Sequence, residues 1–209
     1  MNSHSEASAL RFQQMYQQDG DPWKVRQRWY EQRKRDIVLA SLPDQRYGRA
    51  FEPACGNGQL TAALAQRAEH LMASDMSPEA VRLTRQHLRH ELADDASHVT
   101  LACQTMPLEW PLDASFDLIV ISEMLYYLRE ADLALLVRRC IASLTPGGAL
   151  LLCHWRRPFH DRLIDTDAAH ALFDESPALH HLSRHAEDDF LLDVWSCNAA
   201  SVAQREGLA

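Results

Sequence analysis

Phe51-Glu52-Pro53-Ala54-Cys55-Gly56-Asn57-Gly58 is the stretch that decides the fold. A short apolar run ends in an acid and a glycine-bearing turn, and a helix-like segment follows at once. Seventeen residues past Gly58, a second apolar segment, Leu71-Met72-Ala73-Ser74, ends at Asp75. This spacing predicts a nucleoside pocket. Glycines let a backbone approach a ligand closely, and an acid at the tip of the next strand accepts hydrogen bonds from ribose hydroxyls. Against the dinucleotide fingerprint GxGxxG, Gly56 and Gly58 fit the first two glycines, but Thr61 stands where the third belongs.

Outward from this loop, apolar strands alternate with helix-period segments. Strands are expected near 49–53, 70–74, 98–102, 116–122 and 149–155. Phe116-Asp117-Leu118-Ile119-Val120-Ile121 is almost wholly apolar, as a parallel strand buried on both faces requires. Ser77-Pro78-Glu79 reads as a helix start with an N-cap, a proline in the first turn and an early acid. Leu133, Leu136, Val137, Cys140, Ile141 and Leu144 form a helical stripe, which Thr145-Pro146-Gly147-Gly148 stops. After a helix near 165–174, strands 179–185 and 189–196 flank the turn Glu187-Asp188-Asp189 as a hairpin. Before the core, residues 1–20 read as a polar, frayed end, and 22–41 as a helix from Pro22 to Leu42-Pro43.

The predicted fold is therefore α/β. A doubly wound, mostly parallel sheet over 43–209 carries an N-terminal helical extension or lid, 1–42, and a C-terminal antiparallel hairpin. In such sheets, ligands sit beyond the carboxyl ends of the strands. The loops after 53, 74, 102, 122 and 155 are expected to converge on one site.

Composition narrows the function classes. The net charge of −8 argues against a nucleic-acid partner, which needs a basic surface. No apolar run reaches the ~20 residues of a membrane span, and the first fifteen residues carry no apolar leader. The five cysteines are scattered, without CxxC spacing, which suits a reducing cytoplasm. Neither they nor His180, His181 and His185 have metal-ligand spacing, so no metal is expected. Lys24, Arg26, Arg28, Arg33, Lys34 and Arg35 crowd the segment before the core. They read either as a solvated helix face or as a lid with one cation aimed at a ligand carboxylate.

Four elements taken together resemble class I S-adenosylmethionine-dependent methyltransferases. They are Glu52 to Gly58, Asp75, Phe116 to Val120, and Leu144-Thr145-Pro146-Gly147-Gly148. Further stretches resemble the nodulation protein S family, whose members include N-methyltransferases acting on amino-sugar oligosaccharides. These are Trp29 to Lys34, Ser122-Glu123-Met124-Leu125-Tyr126-Tyr127-Leu128, His154-Trp155-Arg156, and Asp189 to Trp195.

The resemblance implies a Rossmann-like fold and S-adenosylmethionine as cofactor, with S-adenosylhomocysteine as product. It implies a small-molecule acceptor, an amine before a hydroxyl. A nucleotide-dependent oxidoreductase is the reading from a different class. A nucleic-acid methyltransferase would carry a polar-Pro-Pro-aromatic motif where this chain has Ser122-Glu123-Met124-Leu125.

Expected cofactor residues follow from the match. Glu52, Ala54, Gly56 and Gly58 lie along the methionine part, with Ser122 beside it. Asp75, with Met76 next to it, holds the ribose. Gln104 or Thr105 accepts from the adenine amino group, and Met106 packs on the ring. Arg33 reaches the cofactor carboxylate. Ala54 replaces a usual glycine, which is tolerable if its φ stays negative. For the chemistry, Glu123 and Tyr126 are expected at the acceptor, Tyr127 and Trp155 as aromatic walls, and His154 as general base.

Overall fold

The computed structural model describes residues 3–209. Seven strands form one sheet: β1 Tyr47–Pro53, β2 Ala68–Asp75, β3 Val99–Cys103, β4 Phe116–Ser122, β5 Leu144–Trp155, β6 His180–Ala186 and β7 Phe190–Ser196. Their spatial order is β3-β2-β1-β4-β5-β7-β6. β7 runs antiparallel to both β5 and β6, while the other pairs are parallel. The order reverses between β1 and β4, which is the topological switch point.

Period-2 alternation in β4 builds both cores. Ile119 and Ile121 join Phe51, Leu150, Leu152 and Trp195 on one face. That face is covered by α5 (Glu130–Ala142) through Leu133 and Leu136, and by α6 (Thr166–Asp174) through Phe173. Leu118 and Val120 point the other way, to Ala50, Leu151 and Val194. There α2 (Trp29–Ser41) supplies Val38 and α3 (Gln59–Ala65) supplies Leu64. Such two-sided burial is what a near-continuous apolar strand encodes. The acid inside that strand has its own task. Asp117 accepts the N–H groups of Gly48 (2.7 Å) and Arg49 (2.8 Å) and so sets where β1 begins.

Helix α4 (Pro78–Glu91) starts as expected, with Ser77 Oγ accepting the Ala80 N–H at 3.1 Å. Three expectations need correction. First, residues 3–18 form helix α1, whose Gln13 Oε1 accepts from Ser77 Oγ (2.7 Å) and the Glu79 N–H (2.9 Å). Second, the helix expected from Pro22 begins at Trp29. The Asp21 carboxylate takes the N–H groups of Val25 (2.9 Å) and Arg26 (3.2 Å), and Lys24 adopts φ +60°, so this stretch is turns. Third, β5 begins at Leu144, which pairs with Phe116, rather than at 149. The Pro-Gly-Gly turn chemistry forms an irregularity within the strand pair, where the register shifts between Phe116 and Leu118. A short helix not expected from the sequence, α7 (Val202–Arg205), is tied back by Arg205 to Asp44 at 2.8 Å.

Candidate active site

The carboxyl ends of the strands open into a cavity of about 510 Å³. Ala54 after β1, Asp75 and Met76 at the end of β2, Gln104 after β3, Ser122 ending β4 with Glu123 after it, and Trp155 ending β5 all line it. The expected convergence of loops is thus met, and Glu52, Gly56, Met106 and Tyr126 lie on the same wall.

The Asp75 carboxylate organises the loop after β1. It accepts the Gly56 N–H at 3.0 Å and the Ser77 N–H at 2.9 Å. Burial pushes its pKa up to about 6, against the pull of those N–H groups. Gly56 has φ +58°, and a Cβ there would come within 2.8 Å of the Tyr16 hydroxyl. Gly58 has φ +86° but does not line the cavity. Its role is the close approach of the loop to α4, since a Cβ would meet the Thr84 backbone at 3.0 Å.

Ala54 does not meet the condition set for it. Its φ is +58°, not negative. An L-residue in this region costs roughly 1–2 kcal/mol, partly offset in glycine by its extra chain entropy. Ala54→Gly is expected to raise stability by about 1 kcal/mol, a gain of roughly 2–4 °C in Tm for a chain of this size. A lower melting temperature would show that the packing of the Ala54 methyl outweighs the strain.

The acids at the cavity floor are unusual in being protonatable near neutral pH. Burial, with the charge of Asp75 adding to it, pushes Glu52 up to about 8. Its Oε2 meets no hydrogen-bond partner among the described residues, and neither does Gln104 Oε1. Two buried acceptors without donors in a cavity wall fit a ligand that brings N–H groups and positive charge.

At the other end lies Glu123, also at positive φ (+56°). Its Oε1 accepts from Lys34 Nζ at 2.7 Å, and its Oε2 from the Trp155 N–H at 2.9 Å and from the Tyr126 hydroxyl. Lys34 also pairs with Glu31 at 2.9 Å. Burial alone would lower the Lys34 pKa, but Glu123 and Glu31 outweigh it and hold the ammonium charged. Burial and the Glu123 charge raise the Tyr126 phenol well above its ordinary value, so it stays a donor. Phe12, Trp23, Tyr127, Trp155 and Phe159 complete an aromatic wall.

Besides Gly58, three expected residues lie elsewhere. Arg33 pairs with Glu187 at 2.6 Å and does not reach the cavity. The helical period explains it: the cavity face of α2 carries Glu31, Lys34, Arg35 and Val38, with Arg28 just before the helix. Thr105 is also off the cavity, its N–H given to the Glu109 carboxylate at 2.6 Å, which leaves Gln104 on the wall. His154 is fully buried behind the wall. Its Nε2 accepts the Leu125 N–H at 3.2 Å and its Nδ1 meets His170 at 2.9 Å, so neither nitrogen is open to a substrate.

Sequence reasoning missed Arg11, Phe12, Tyr16, Glu31 and Asp161, all of which line the cavity. A signal for α1 existed. Ala9, Phe12, Met15 and Tyr16 are spaced as one helical face within the polar N-terminal stretch.

Comparison with known proteins places this site in context. The family model for nodulation protein S matches residues 6–176. Nodulation protein S of Rhizobium tropici is 29% identical over 133 residues, which is 63% of this chain. The chain spans about half the length of that relative (53%). Among solved structures, a Pseudomonas syringae protein provisionally named a methyltransferase is 45% identical. It covers 81% of this chain and 99% of its own, with a TM-score of 0.68. The N-methyltransferase NodS of Bradyrhizobium japonicum, crystallised with S-adenosyl-L-homocysteine, is 23% identical with a TM-score of 0.77. It covers 93% of this chain and 98% of its own.

Proposed function

Because the chain belongs to the nodulation protein S family, we propose that its cavity binds S-adenosylmethionine and that it methylates an amine on a small molecule. The observation that carries the reading is the acid-rich floor, where Glu52 and Asp75 are buried beside the Ala54–Gly58 loop. Such a floor suits a cationic nucleoside. A dinucleotide would bring two phosphates against it.

When bound, S-adenosylmethionine supplies an electrophilic methyl group. The Ala54–Gly56 backbone, with Ser122 opposite, cradles the methionine part. Asp75 keeps lone pairs for the ribose hydroxyls, with Met76 beside it. Gln104 Oε1 takes the adenine amino group and Met106 packs on the ring. Arg28 and Arg35 stand where Arg33 was expected to meet the carboxylate. At the acceptor end, Tyr127, Trp155 and Phe159 hold the cationic centre by their faces and exclude water. An amine attacks only when neutral, and its proton moves to Glu123 Oε1. The N-terminal extension serves as the lid in this reading, since its Tyr16 and Lys34 line the cavity. The reading includes a reducing, cytoplasmic setting and no nucleic-acid or membrane partner. Among the described residues, no helix is long and apolar enough to cross a membrane.

Incubation with methyl-deuterated S-adenosylmethionine and a panel of amines, amino sugars and alcohols tests this by mass spectrometry. Label on an amine nitrogen is expected. Label on hydroxyl oxygens alone would move the reading to an O-methyltransferase.

The proton on Glu52 makes binding pH-dependent. Its folded pKa of about 8 is raised above the unfolded value, so protonated burial favours the fold at low pH and that contribution is lost as pH rises through 8. A cationic ligand favours the ionised form. Affinity for S-adenosylmethionine is therefore expected to rise as pH increases from 6 to about 8, with proton release. Glu52→Gln should flatten the profile above about pH 7, where Asp75, at about 6, is mostly ionised. A wild-type affinity independent of pH in calorimetry would contradict the assignment.

A further inference from the structure

Behind the cavity wall, three fully buried polar side chains from three elements are joined end to end: His154 on β5, His170 on α6 and Asp193 on β7. The chain starts at the Leu125 N–H, which donates to His154 Nε2 at 3.2 Å. His154 Nδ1 meets His170 Nε2 at 2.9 Å, and His170 Nδ1 meets Asp193 Oδ2 at 2.8 Å. At the far end Asp193 Oδ1 accepts from Arg184 Nε and lies against His181 Nε2, both at 2.7 Å, on the edge strand.

An amide N–H can only donate, so the protons are dictated along the line. His154 Nε2 is bare, its Nδ1–H donates to His170 Nε2, and the Nδ1–H of His170 donates to Asp193. Burial above all holds His154 neutral, as this arrangement needs, and the Lys34 ammonium adds to it. The His154 ring also stands edge-on to the Tyr126 ring, with centroids 5.5 Å apart. Hydrogen-bonded polar groups in a core add little net stability over apolar side chains of the same shape, but they fix position. What this line fixes is the Leu125–Tyr127 turn, whose first N–H it holds. That turn presents Tyr126 to Glu123.

We propose that His154, His170 and Asp193 form a positioning relay, which sets the Glu123–Tyr126 loop for the incoming amine. The inference rests on the amine-methylation reading, in which Glu123 and Tyr126 meet the acceptor. His154 then acts through Leu125 without touching substrate or cofactor.

Two near-isosteres separate position from mere burial. The Gln side chain can reach the place of Nε2 and still accept the Leu125 N–H. The Asn side chain reaches only the place of Nδ1 and keeps the His170 bond alone. His154→Asn is expected to lower kcat about tenfold or more, while the Kd of S-adenosylmethionine changes less than about twofold. His154→Gln, which keeps the Leu125 bond but gives up the bond to His170, should fall between His154→Asn and wild type, about threefold below wild type. Equal losses in both variants, or none in either, would overturn the relay. Nitrogen NMR of the intact wild-type protein judges it without any turnover. Both buried histidines should carry the proton on Nδ1, and an Nε2–H tautomer at His154 would contradict it. Should no acceptor be methylated while both tautomers are as expected, the function reading fails and the assigned hydrogen-bond line still stands.

Discussion

Replacing Asp75 with alanine is expected to weaken S-adenosylmethionine binding by about 1–3 kcal/mol, roughly 5- to 150-fold. The carboxylate serves the cavity twice. It accepts the Gly56 N–H and the Ser77 N–H, which ties the loop after β1 to the start of α4. In the proposed reading its remaining lone pairs take the ribose hydroxyls. Alanine removes the ribose contacts and leaves two buried backbone donors without their partner. The melting temperature should therefore fall as well, by an amount worth roughly 1–3 kcal/mol. Asp75→Asn keeps one acceptor oxygen and should lie between alanine and wild type in both readouts. Unchanged affinity in Asp75→Ala would show that the ribose is held elsewhere.

The second large effect is expected at Glu123. Glu123→Gln should lower turnover about 100-fold or more, the range found for removing a general base, with the cofactor Kd nearly unchanged. The amide keeps the size of the side chain and an acceptor for the Trp155 N–H. It cannot take a proton from the amine. It also withdraws a negative charge from Lys34, which Glu31 alone then balances. Steady-state kinetics together with calorimetry separate these effects. Wild-type turnover in the glutamine variant would mean that the amine loses its proton before binding or to another group.

Much of the architecture was legible because β4 and β5 are apolar runs buried on both faces, and because Ser77-Pro78 marks a helix start chemically. The strand-end residues were legible for the same reason. Once β1, β2 and β4 are located, Ala54, Asp75 and Ser122 must face the same edge. What could not be read depends on contacts far apart in sequence. Arg33 and Lys34 are adjacent, and only the packing of Val38 on the sheet decides which of them turns inward. His154 lies one residue before the end of β5, yet its bond to His170 sixteen residues later holds its ring behind the wall. The sign of φ at Ala54 is likewise set by the turn that Asp75 and Gly56 close. Helix α1 was obscured by its glutamines, whose amides are spent in part on capping α4 through Gln13.

The central claim is that the Phe51–Gly58 loop and Asp75 hold S-adenosylmethionine rather than a dinucleotide. Calorimetric titration of the intact protein with S-adenosylmethionine, and separately with NAD, tests it most directly. The expected result is one saturable site for S-adenosylmethionine and no heat of binding with NAD. Binding of NAD without binding of S-adenosylmethionine would contradict it.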